Sequence, residues 1–273
     1  MSTPSLAGDR ARMPQGTSHL LDQRTLAASY RSLAAYIKPG MAVLDVGCGT
    51  GAITRGMAEL ATPTGAVLGI DASPALVAEA QAKHAGVAGL RFAVADVYTF
   101  EPGQPFDVVA SARTLQWLAD PYGALQRMAG FLKPGGILSV LDYNHEKIAW
   151  NPAPPPSMLR FYDAFLRWRA DAGMQNDIAD RLAGYFETAG LGQIATTDQF
   201  ETVRRTDPGY AAKMGIWATV AETRGRQLVA DGYVTEAERH AAAQDYAAWV
   251  ATEADYMEMY LLAVEGRAVN SKQ

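Results

Sequence analysis

The sequence predicts an α/β fold built on a doubly wound, mostly parallel sheet of seven strands. Short apolar runs alternate regularly with segments of helical periodicity through the first half of the chain, and several of these runs end at an aspartate. Such alternation favours a parallel sheet with helices on both faces. The composition, with 49% hydrophobic and 19% charged residues, is that of an ordinary globular protein.

A glycine-rich stretch at Val43–Gly51 organises this prediction. It has the pattern of a buried strand that runs into a tight turn, followed by a helix that opens near Ala52. Glycines let the backbone turn sharply and let a ligand approach closely, and the helix N-terminus offers it free N–H groups. Glycine-rich turns also occur without a ligand, so this stretch alone leaves that interpretation open. The residues of interest in it are Asp45, Gly47, Cys48, Gly49 and Gly51.

The rest of the chain divides into successive segments. Further strands are predicted near 66–70, 90–95, 106–110, 137–141, 191–203 and 256–264, with helices between most of them. The predicted segments are a mobile arm at 1–16, a ligand-binding core at 17–142, a connector and lid helix at 143–175, a core helix and strand at 176–204, a helical insertion at 205–255, a final core strand at 256–267 and a tail at 268–273.

Aspartates stand at the ends of several predicted strands. Asp71, Asp96 and Asp142 follow apolar runs directly, and ligands of open parallel sheets bind at the carboxyl ends of the strands. Asp71 lies about 20 residues after Gly51, a spacing that suits a carboxylate accepting both ribose hydroxyls. One such aspartate is ordinarily a helix cap, but the set, with Asp45 and the glycine turn, predicts an adenosine ligand. A dinucleotide dehydrogenase fits less well, because its G-x-G-x-x-G fingerprint places the third glycine one residue further along.

Charge and cysteine content narrow the classes of partner. The net charge is -5 and no run of lysine or arginine is present, which argues against a nucleic-acid partner. Cys48 is the one cysteine, so neither a disulfide framework nor a cysteine metal site is expected, and we predict no metal. No segment has the roughly 20 apolar residues needed to span a bilayer, and the N-terminus lacks a signal pattern. We therefore expect a cytoplasmic protein without a membrane span.

Five motifs together resemble those of one family. They are VLDVGCGTG (43–51), GIDAS (69–73), ADV (95–97), SARTLQWLADP (111–121) and FLKPGGILSV (131–140). Their combination is similar to class I S-adenosylmethionine-dependent methyltransferases of the small-molecule branch, in particular the ubiquinone/menaquinone C-methyltransferases (methyltransferase type 11). The resemblance covers residues 17–142 well and implies a Rossmann-like methyltransferase fold. It also implies S-adenosyl-L-methionine as cofactor, S-adenosyl-L-homocysteine as product and a small-molecule acceptor.

The resemblance assigns roles to the residues that match its motifs. It implies that the loop glycines approach the cofactor and that Asp71 binds its ribose, with Ala72 beside the adenine. Asp96 would accept a hydrogen bond from the adenine amine, and Val97 would lie along the neighbouring edge. Arg113 would lie near the methionine part of the cofactor.

The helical periodicity of residues 17–37 predicts an N-terminal helix, and two of its side chains are further candidates for cofactor binding. His19 and Arg24 are placed to close over the cofactor carboxylate. The same helix is equally interpretable as a plain packing element.

The chemistry of transfer leads to candidates just beyond the fifth predicted strand. A base assists transfer to a phenol, an alcohol or an acidic carbon, and we predict His145 as that base with Tyr143 orienting it. The alternative for His145 is a solvated loop histidine, and some members of the family use no protein base. Gln116 stands where many relatives have histidine. The expected acceptor is an O, N or C atom of a small aromatic or lipophilic metabolite, and the aromatic residues of 161–168 are either its pocket or plain core.

Two other functions are compatible with the same motifs. One is a regulatory protein that binds S-adenosylmethionine without transferring its methyl group. The other is a related protein that uses the bound cofactor for a different reaction. The sequence also leaves a homodimer open.

Overall fold

The architecture is seen in a computed structural model that describes residues 6–14 and 17–269, without the side chains of residues 19 and 20. The strands are β1 (Ala42–Val46), β2 (Ala66–Asp71), β3 (Leu90–Val94), β4 (Phe106–Ala112), β5 (Leu132–Asn151), β6 (Leu191–Asp198), β7 (Glu201–Arg204) and β8 (Tyr256–Ala268). The helices are α1 (Leu6–Ala11), α2 (His19–Asp22), α3 (Leu26–Ser29), α4 (Arg31–Ala34), α5 (Ala52–Ala61), α6 (Pro74–Lys83), α7 (Pro121–Gly130), α8 (Pro156–Asp171), α9 (Ile178–Thr188), α10 (Tyr210–Met214), α11 (Ile216–Glu222), α12 (Gly225–Ala230) and α13 (Glu236–Thr252), with a 3₁₀ helix at Leu115–Trp117.

The strands form one sheet in the order β3-β2-β1-β4-β5-β8-β6, with β7 also paired to β8. The strands β1 to β5 pair in parallel, and β8 runs antiparallel to β5, β6 and β7. The prediction of a doubly wound, mostly parallel sheet is confirmed. The strand order reverses between β1 and β4, and ligands of such sheets bind at the carboxyl ends of the strands beside that point.

The sheet of the described chain has eight strands, one more than predicted. The sequence predicts one strand over 191–203, whereas the structure has β6 and β7, separated at Gln199 and Phe200. Both pieces pair with β8, β6 along its C-terminal half and β7 along its N-terminal half. The eighth strand exists because the long β8 offers two pairing segments on one edge.

The strand β5 is much longer than predicted. The sequence predicts a strand over 137–141 that ends at Asp142, but β5 continues to Asn151. Its partner β8 is 13 residues long and pairs with it as far as Asn151, with a register shift between Asn144 and Ala149. Asp142 therefore lies inside a strand, and the predicted segment boundary after it also falls inside that strand.

The segment predicted as a mobile arm contains a helix. Within 1–16 the described residues include α1, whose Arg10 has a buried side chain that donates to the Trp168 carbonyl. Residues 1–5, 15 and 16 lie outside the described part of the chain. The N-terminal helix predicted over 17–37 is instead three short helices, α2 to α4. Thr25 has an extended backbone and accepts a hydrogen bond from the Ala28 N–H (3.1 Å), which separates α3 from α2.

Apolar side chains pack on both faces of the sheet. Leu44 and Val109 belong to one group, and their neighbours Val43 and Val108 belong to the other. This division follows from the alternation of side chains along a strand. The sheet is therefore covered on both sides, as its parallel strands require.

A third apolar group is formed by α8 and α10 to α13, and we call these helices the insertion cluster. The sequence predicts two helices over 207–255, where the structure has four, with the predicted break near Asp231 and Gly232 between α12 and α13. The large aromatic side chains of the cluster are buried and in mutual contact, as in a core; the rings of Tyr162 and Trp217, for example, have centroids 4.6 Å apart. No helix in the described ranges is long and apolar enough to cross a bilayer.

Candidate functional site

The glycine turn between β1 and α5 has the backbone that its sequence predicts. Gly47, Gly49 and Gly51 all have positive φ, at +77°, +54° and +78°, a region that other residues rarely adopt. A Cβ on Gly47 would lie 2.1 Å from Thr114 Oγ1. The turn therefore presents bare backbone at the carboxyl end of β1.

Asp71, at the end of β2, is tied to this turn by a hydrogen bond. Its Oδ2 accepts from the Gly49 N–H (3.0 Å) and its Oδ1 from the Ser73 N–H (2.9 Å). Burial raises the pKa of Asp71, while the two N–H donors act in the opposite direction. Each carboxylate oxygen keeps a further lone pair, so both can accept from ribose hydroxyls. The next residue, Ala72, is exposed.

Asp96 and Val97 follow β3 at the same edge of the sheet. Asp96 is exposed, and its Oδ1 accepts from the Tyr98 N–H (2.9 Å). Its Oδ2 is left to accept from a donor such as an amine. Val97 is buried among the core side chains on one face of the sheet.

Asp45 and Cys48 make contacts inside the protein. Asp45 is 2% exposed, and its Oδ2 accepts from the Thr54 hydroxyl on α5 at 2.6 Å. Burial raises the pKa of Asp45 to about 7. Burial also raises the pKa of the Cys48 thiol, which is therefore protonated and unreactive. The Asp45 side chain thus joins β1 to α5, and the assignment of Asp45 and Cys48 to the cofactor site stays a prediction.

Arg113 follows β4 in a strained conformation, with φ of +57°. Its buried side chain donates from Nε to the Tyr143 hydroxyl (3.0 Å) and from Nη2 to the Ser29 carbonyl (3.3 Å) and to Glu201. Its Nη1 has no hydrogen-bond partner among the described residues. A strained residue with an unused buried donor is typical of a ligand-binding position.

Glu201 on β7 completes this arrangement, and no sequence pattern pointed to it. Its Oε2 accepts from the Tyr143 hydroxyl (3.1 Å). Although burial opposes ionisation, the charges of Arg113 and Arg24 hold the pKa of Glu201 below its usual range. No local signal marks Glu201, because it lies 88 residues from Arg113 in the sequence. The side chain of His19 lies outside the described part of the chain, so its role stays a prediction, as does that of the half-buried Arg24.

His145 is buried within β5 and does not lie in a solvated loop. Its Nε2 lies 2.7 Å from Gln116 Oε1, and the amide nitrogen of Gln116 donates to the Arg113 carbonyl (3.1 Å). Since Oε1 only accepts, Nε2 of His145 carries the proton and Nδ1 carries the lone pair. Burial, with the nearby charge of Arg169, lowers the pKa of His145 well below its usual value, so the ring is neutral.

Tyr143 stacks on His145 without a hydrogen bond to it. The ring centroids are 5.2 Å apart at an interplanar angle of 25°, while the Tyr143 hydroxyl bonds to Arg113 and Glu201. The predicted orientation of His145 by Tyr143 is therefore a stacking contact, and the hydrogen bond that fixes the ring comes from Gln116.

Asp142 holds the 3₁₀ helix beside β5. It has no exposed surface, and its Oδ2 and Oδ1 accept from the N–H groups of Gln116 (3.0 Å) and Tyr143 (2.9 Å). Burial raises the pKa of Asp142 to about 6. This carboxylate, predicted at a strand end, is thus fully engaged by the protein.

Arg169 on α8 joins the insertion cluster to the same region and was also missed. It has no exposed surface and donates from Nε to Asn176 Oδ1 (2.8 Å) and from Nη2 to the Gln116 carbonyl (2.9 Å). Its Nη1 lacks a partner among the described residues. An arginine within an amphipathic helix carries no motif, so the sequence offered no signal for it.

The residues at this edge of the sheet fit S-adenosylmethionine. The glycine turn is a cradle that a Cβ would fill at Gly47, and Asp71 and Asp96 stand at neighbouring strand ends. Arg113 Nη1, which has no partner among the described residues, can donate to a carboxylate. Fold and site together define a Rossmann-like protein with an adenosine-ligand site. In comparison with known families, residues 37–173 match the one described as Methyltransferase domain. The chain belongs to this family, and the predicted methyltransferase class and the S-adenosylmethionine cofactor are confirmed at that level.

Individual relatives agree with this membership. The chain is 35% identical over 204 residues to a trans-aconitate 2-methyltransferase of Methylobacterium radiotolerans, covering 74% of this chain and 70% of that protein. It is 34% identical over 168 residues to a protein of the same name from Streptomyces avermitilis, covering 59% of each. The match thus spans only about three fifths of the second relative's length.

A solved structure shows the same fold. It is phosphoethanolamine N-methyltransferase 2 of Haemonchus contortus in complex with S-adenosyl-L-methionine, with a TM-score of 0.54 and 17% identity over 97% of this chain and 55% of that chain. The finer resemblance to ubiquinone/menaquinone C-methyltransferases stays a prediction.

Proposed function

We propose that the protein transfers the methyl group of S-adenosyl-L-methionine to a small-molecule acceptor. The observation that carries this proposal is the hydrogen bond between the Gly49 N–H and Asp71 Oδ2, which joins the glycine turn to a ribose-binding carboxylate. The family supports the reaction class, and relatives named as methyltransferases argue against a protein that binds the cofactor without transfer.

The chain's own residues act mainly by positioning. Bound S-adenosylmethionine supplies a methyl carbon to which the acceptor atom bonds as the C–S bond breaks and its electron pair stays on sulfur. Asp71 orients the ribose, Asp96 the adenine, and Arg113 Nη1 offers a hydrogen bond to the carboxylate of the methionine part. Because the methyl is already activated, alignment of the acceptor in a dry site supplies much of the rate.

His145 is the candidate base, and it acts through Nδ1. The neutral ring accepts a proton there from a hydroxyl acceptor, while Gln116 holds the other nitrogen. A carboxylate acceptor has no proton to lose on methylation. For such an acceptor His145 serves as a wall of the site rather than as a base.

The first acceptor to test is trans-aconitate, because two relatives are named for it. An aromatic or lipophilic metabolite is the second candidate, supported by the rings of Phe165 and Trp217, whose centroids lie 5.9 and 6.4 Å from that of His145. The cytoplasmic location and the lack of a nucleic-acid partner rest on the sequence alone and belong to this proposal, and a homodimer stays open.

The proposal is tested by calorimetric titration of cofactor-stripped protein with S-adenosylmethionine and S-adenosylhomocysteine. We expect micromolar binding, about -8 kcal/mol, that is lost in Asp71→Ala and kept in Asp163→Ala, which removes an aspartate with a 70% exposed side chain on α8. Transfer of a labelled methyl group to trans-aconitate then tests the reaction. Absence of cofactor binding by the wild type would refute the proposed function.

A further inference from the structure

Two buried guanidinium groups lie against one indole ring. The Cζ atoms of Arg169 and Arg224 are 4.6 and 4.4 Å from the ring centroid of Trp117, on the 3₁₀ helix. Arg169 is 0% and Arg224 7% exposed. Within the described chain neither forms an ion pair with a carboxylate. The buried Asp142 carboxylate attracts Arg169 without forming an ion pair with it. Two guanidinium groups facing one carboxylate leave an excess of buried positive charge, so the pair calls for an anion.

The hydrogen bonds of the two arginines leave one buried donor for an anion. Arg224 donates to the carbonyls of Arg10 and Arg12 and to the Gln227 side chain. Arg169 uses Nε and Nη2 for Asn176 and Gln116, while its Nη1 is buried without a partner among the described residues. An unpaired buried donor costs about 1–3 kcal/mol, more when charged, and a carboxylate is the ligand that best offsets both this and the excess charge.

The position of Arg169 relates this donor to methyl transfer. Arg169 Cζ lies 5.4 Å from the Phe165 ring centroid, and Phe165 makes an edge contact with His145. Gln116 accepts from Arg169 at its carbonyl and from His145 at its side chain. Arg169, whose Nη1 lacks a partner among the described residues, therefore belongs to the group of residues that surrounds the candidate base.

We propose that Arg169 Nη1 binds a carboxylate of the acceptor, so that the acceptors are small polycarboxylic acids. This inference rests on the proposed function and assigns the acceptor side of that site. Arg169 holds one carboxylate, and Arg224, which also contacts the Trp117 ring, adds positive charge nearby. An oxygen of a second carboxylate forms the bond to the methyl carbon as the C–S bond breaks. The sulfonium and that carboxylate both lose their charge in the step, so no proton is released and no base is required.

Access to Nη1 requires a movement of the protein. Because Arg169 has no exposed surface, a carboxylate reaches it only when the side chains packed around it move. Binding is therefore expected to be slower than diffusion and to rigidify α8.

The experiment measures binding of tricarballylate, a saturated tricarboxylate, and of its neutral triamide to the complex with S-adenosylhomocysteine, by calorimetry. For the wild type we expect the acid to bind and the triamide to bind at least about 10-fold more weakly, as for a lost charged hydrogen bond. Arg169→Gln is expected to lower the affinity for tricarballylate by about 10- to 100-fold, while the affinity for S-adenosylhomocysteine stays within about twofold of that of the wild type. The matched control is Arg160→Gln, which removes an exposed arginine of the same helix and should behave as wild type.

Turnover gives a second measurement if labelled methyl transfer to trans-aconitate is observed. Arg169→Gln should raise KM for the acid by about 10- to 100-fold and change kcat less, with Arg169→Lys between the two because a lysine keeps the charge and loses the planar fork. A purely structural role would lower the affinity for S-adenosylhomocysteine as well.

Several outcomes would overturn the inference. They are failure of the acid to bind the wild-type complex at millimolar concentration, equal affinity for acid and triamide, and retention of wild-type acid affinity by Arg169→Gln. If Arg169→Gln does not fold, the comparison of acid and triamide on the wild type decides alone. Failure of the proposed function looks different, since the wild type would then not bind S-adenosylhomocysteine at all.

Discussion

Two regions of the molecule bury charge in opposite ways. We call the glycine turn with β1 to β3 the cofactor half, and the 3₁₀ helix with the insertion cluster the acceptor half. In the cofactor half, Asp45 and Asp71 accept from a hydroxyl and from backbone N–H groups around a glycine turn. In the acceptor half, Arg169 and Arg224 stack on the Trp117 ring and donate to carbonyl and amide oxygens. The first arrangement favours a ligand rich in hydroxyl and amine donors, and the second favours an anion. The contrast suggests that the aspartates of the first half serve hydroxyl and amine donors of a ligand, and that the arginine pair of the second half serves an anion.

The largest effect is expected in the cofactor half from Gly47→Ala. The new Cβ meets Thr114 at 2.1 Å in a backbone with φ of +77°, so overpacking adds to strain and the expected loss of stability is about 2–5 kcal/mol. Cofactor binding should be lost with it. Urea unfolding and calorimetry measure both quantities.

Gly86→Ala is the matched control for this change. Gly86 has φ of +85°, but the position that a Cβ would take there has open space within 4 Å, so strain alone applies and about 1–2 kcal/mol is expected. Equal losses in the two variants would show that Thr114 yields and that the turn is not tightly packed.

The pH dependence of Asp45→Asn tests how the cofactor half tolerates its buried carboxylate. The folded pKa is raised from 3.8 to about 7, so this group stabilises the fold fully below the unfolded pKa and loses that contribution as pH rises through 7. Between pH 5 and pH 8 the wild type should lose about 2–3 kcal/mol relative to Asp45→Asn, as measured by urea unfolding.

Asp107→Asn serves as the control with the opposite sign. Despite partial burial, Lys133 holds the pKa of Asp107 below its usual value, so its stabilising contribution is lost only as pH falls through the acid range. It should give no comparable difference between pH 5 and pH 8. A profile for Asp45→Asn parallel to that of the wild type would mean that Asp45 ionises normally.

The smallest effect is expected in the acceptor half, from Thr235→Ala. Thr235 and Glu238 form a reciprocal capping box at the start of α13, and its loss costs about 1 kcal/mol. Thr252→Ala, whose hydroxyl only bonds back to the Ala248 carbonyl, should change stability by less than about 0.5 kcal/mol. Both should leave the affinity for S-adenosylhomocysteine within about twofold; a larger change would couple α13 to the cofactor half.

The same contrast explains how much was predictable from the sequence. The glycine turn and Asp71 were placed correctly because both belong to one strand–helix–strand unit, in which only 22 residues separate Gly49 from Asp71, and because the turn needs glycine, which is visible in a short motif. The break near Gly232 was placed correctly because glycine marks it in the local sequence. Fold class followed from the alternation of strands and helices alone.

The contacts of the acceptor half, and the contact of Arg113 with Glu201, were not predictable in this way. Arg169 meets the Gln116 carbonyl across 53 residues, and Arg113 meets Glu201 across 88. The length of β5 is likewise set by its pairing with β8 and not by its own apolar run, which ends at Leu141. These features depend on which distant segments come together, and that information is absent from local periodicity.

The strand β8 follows every other described strand in the chain and yet lies inside the sheet, between β5 and β6. Its nearest pairing with β5 joins Asn151 to Tyr256, so the intervening chain, with the whole insertion cluster, must be spanned before the sheet closes. Long-range closure of this kind is slow. During synthesis, the edges of β5 and β6 that pair with β8 therefore stay unpaired until β8 is made. Unpaired strand edges are templates for association with other chains. We expect the nascent polypeptide to depend most on chaperones just before residues 256–268 leave the ribosome.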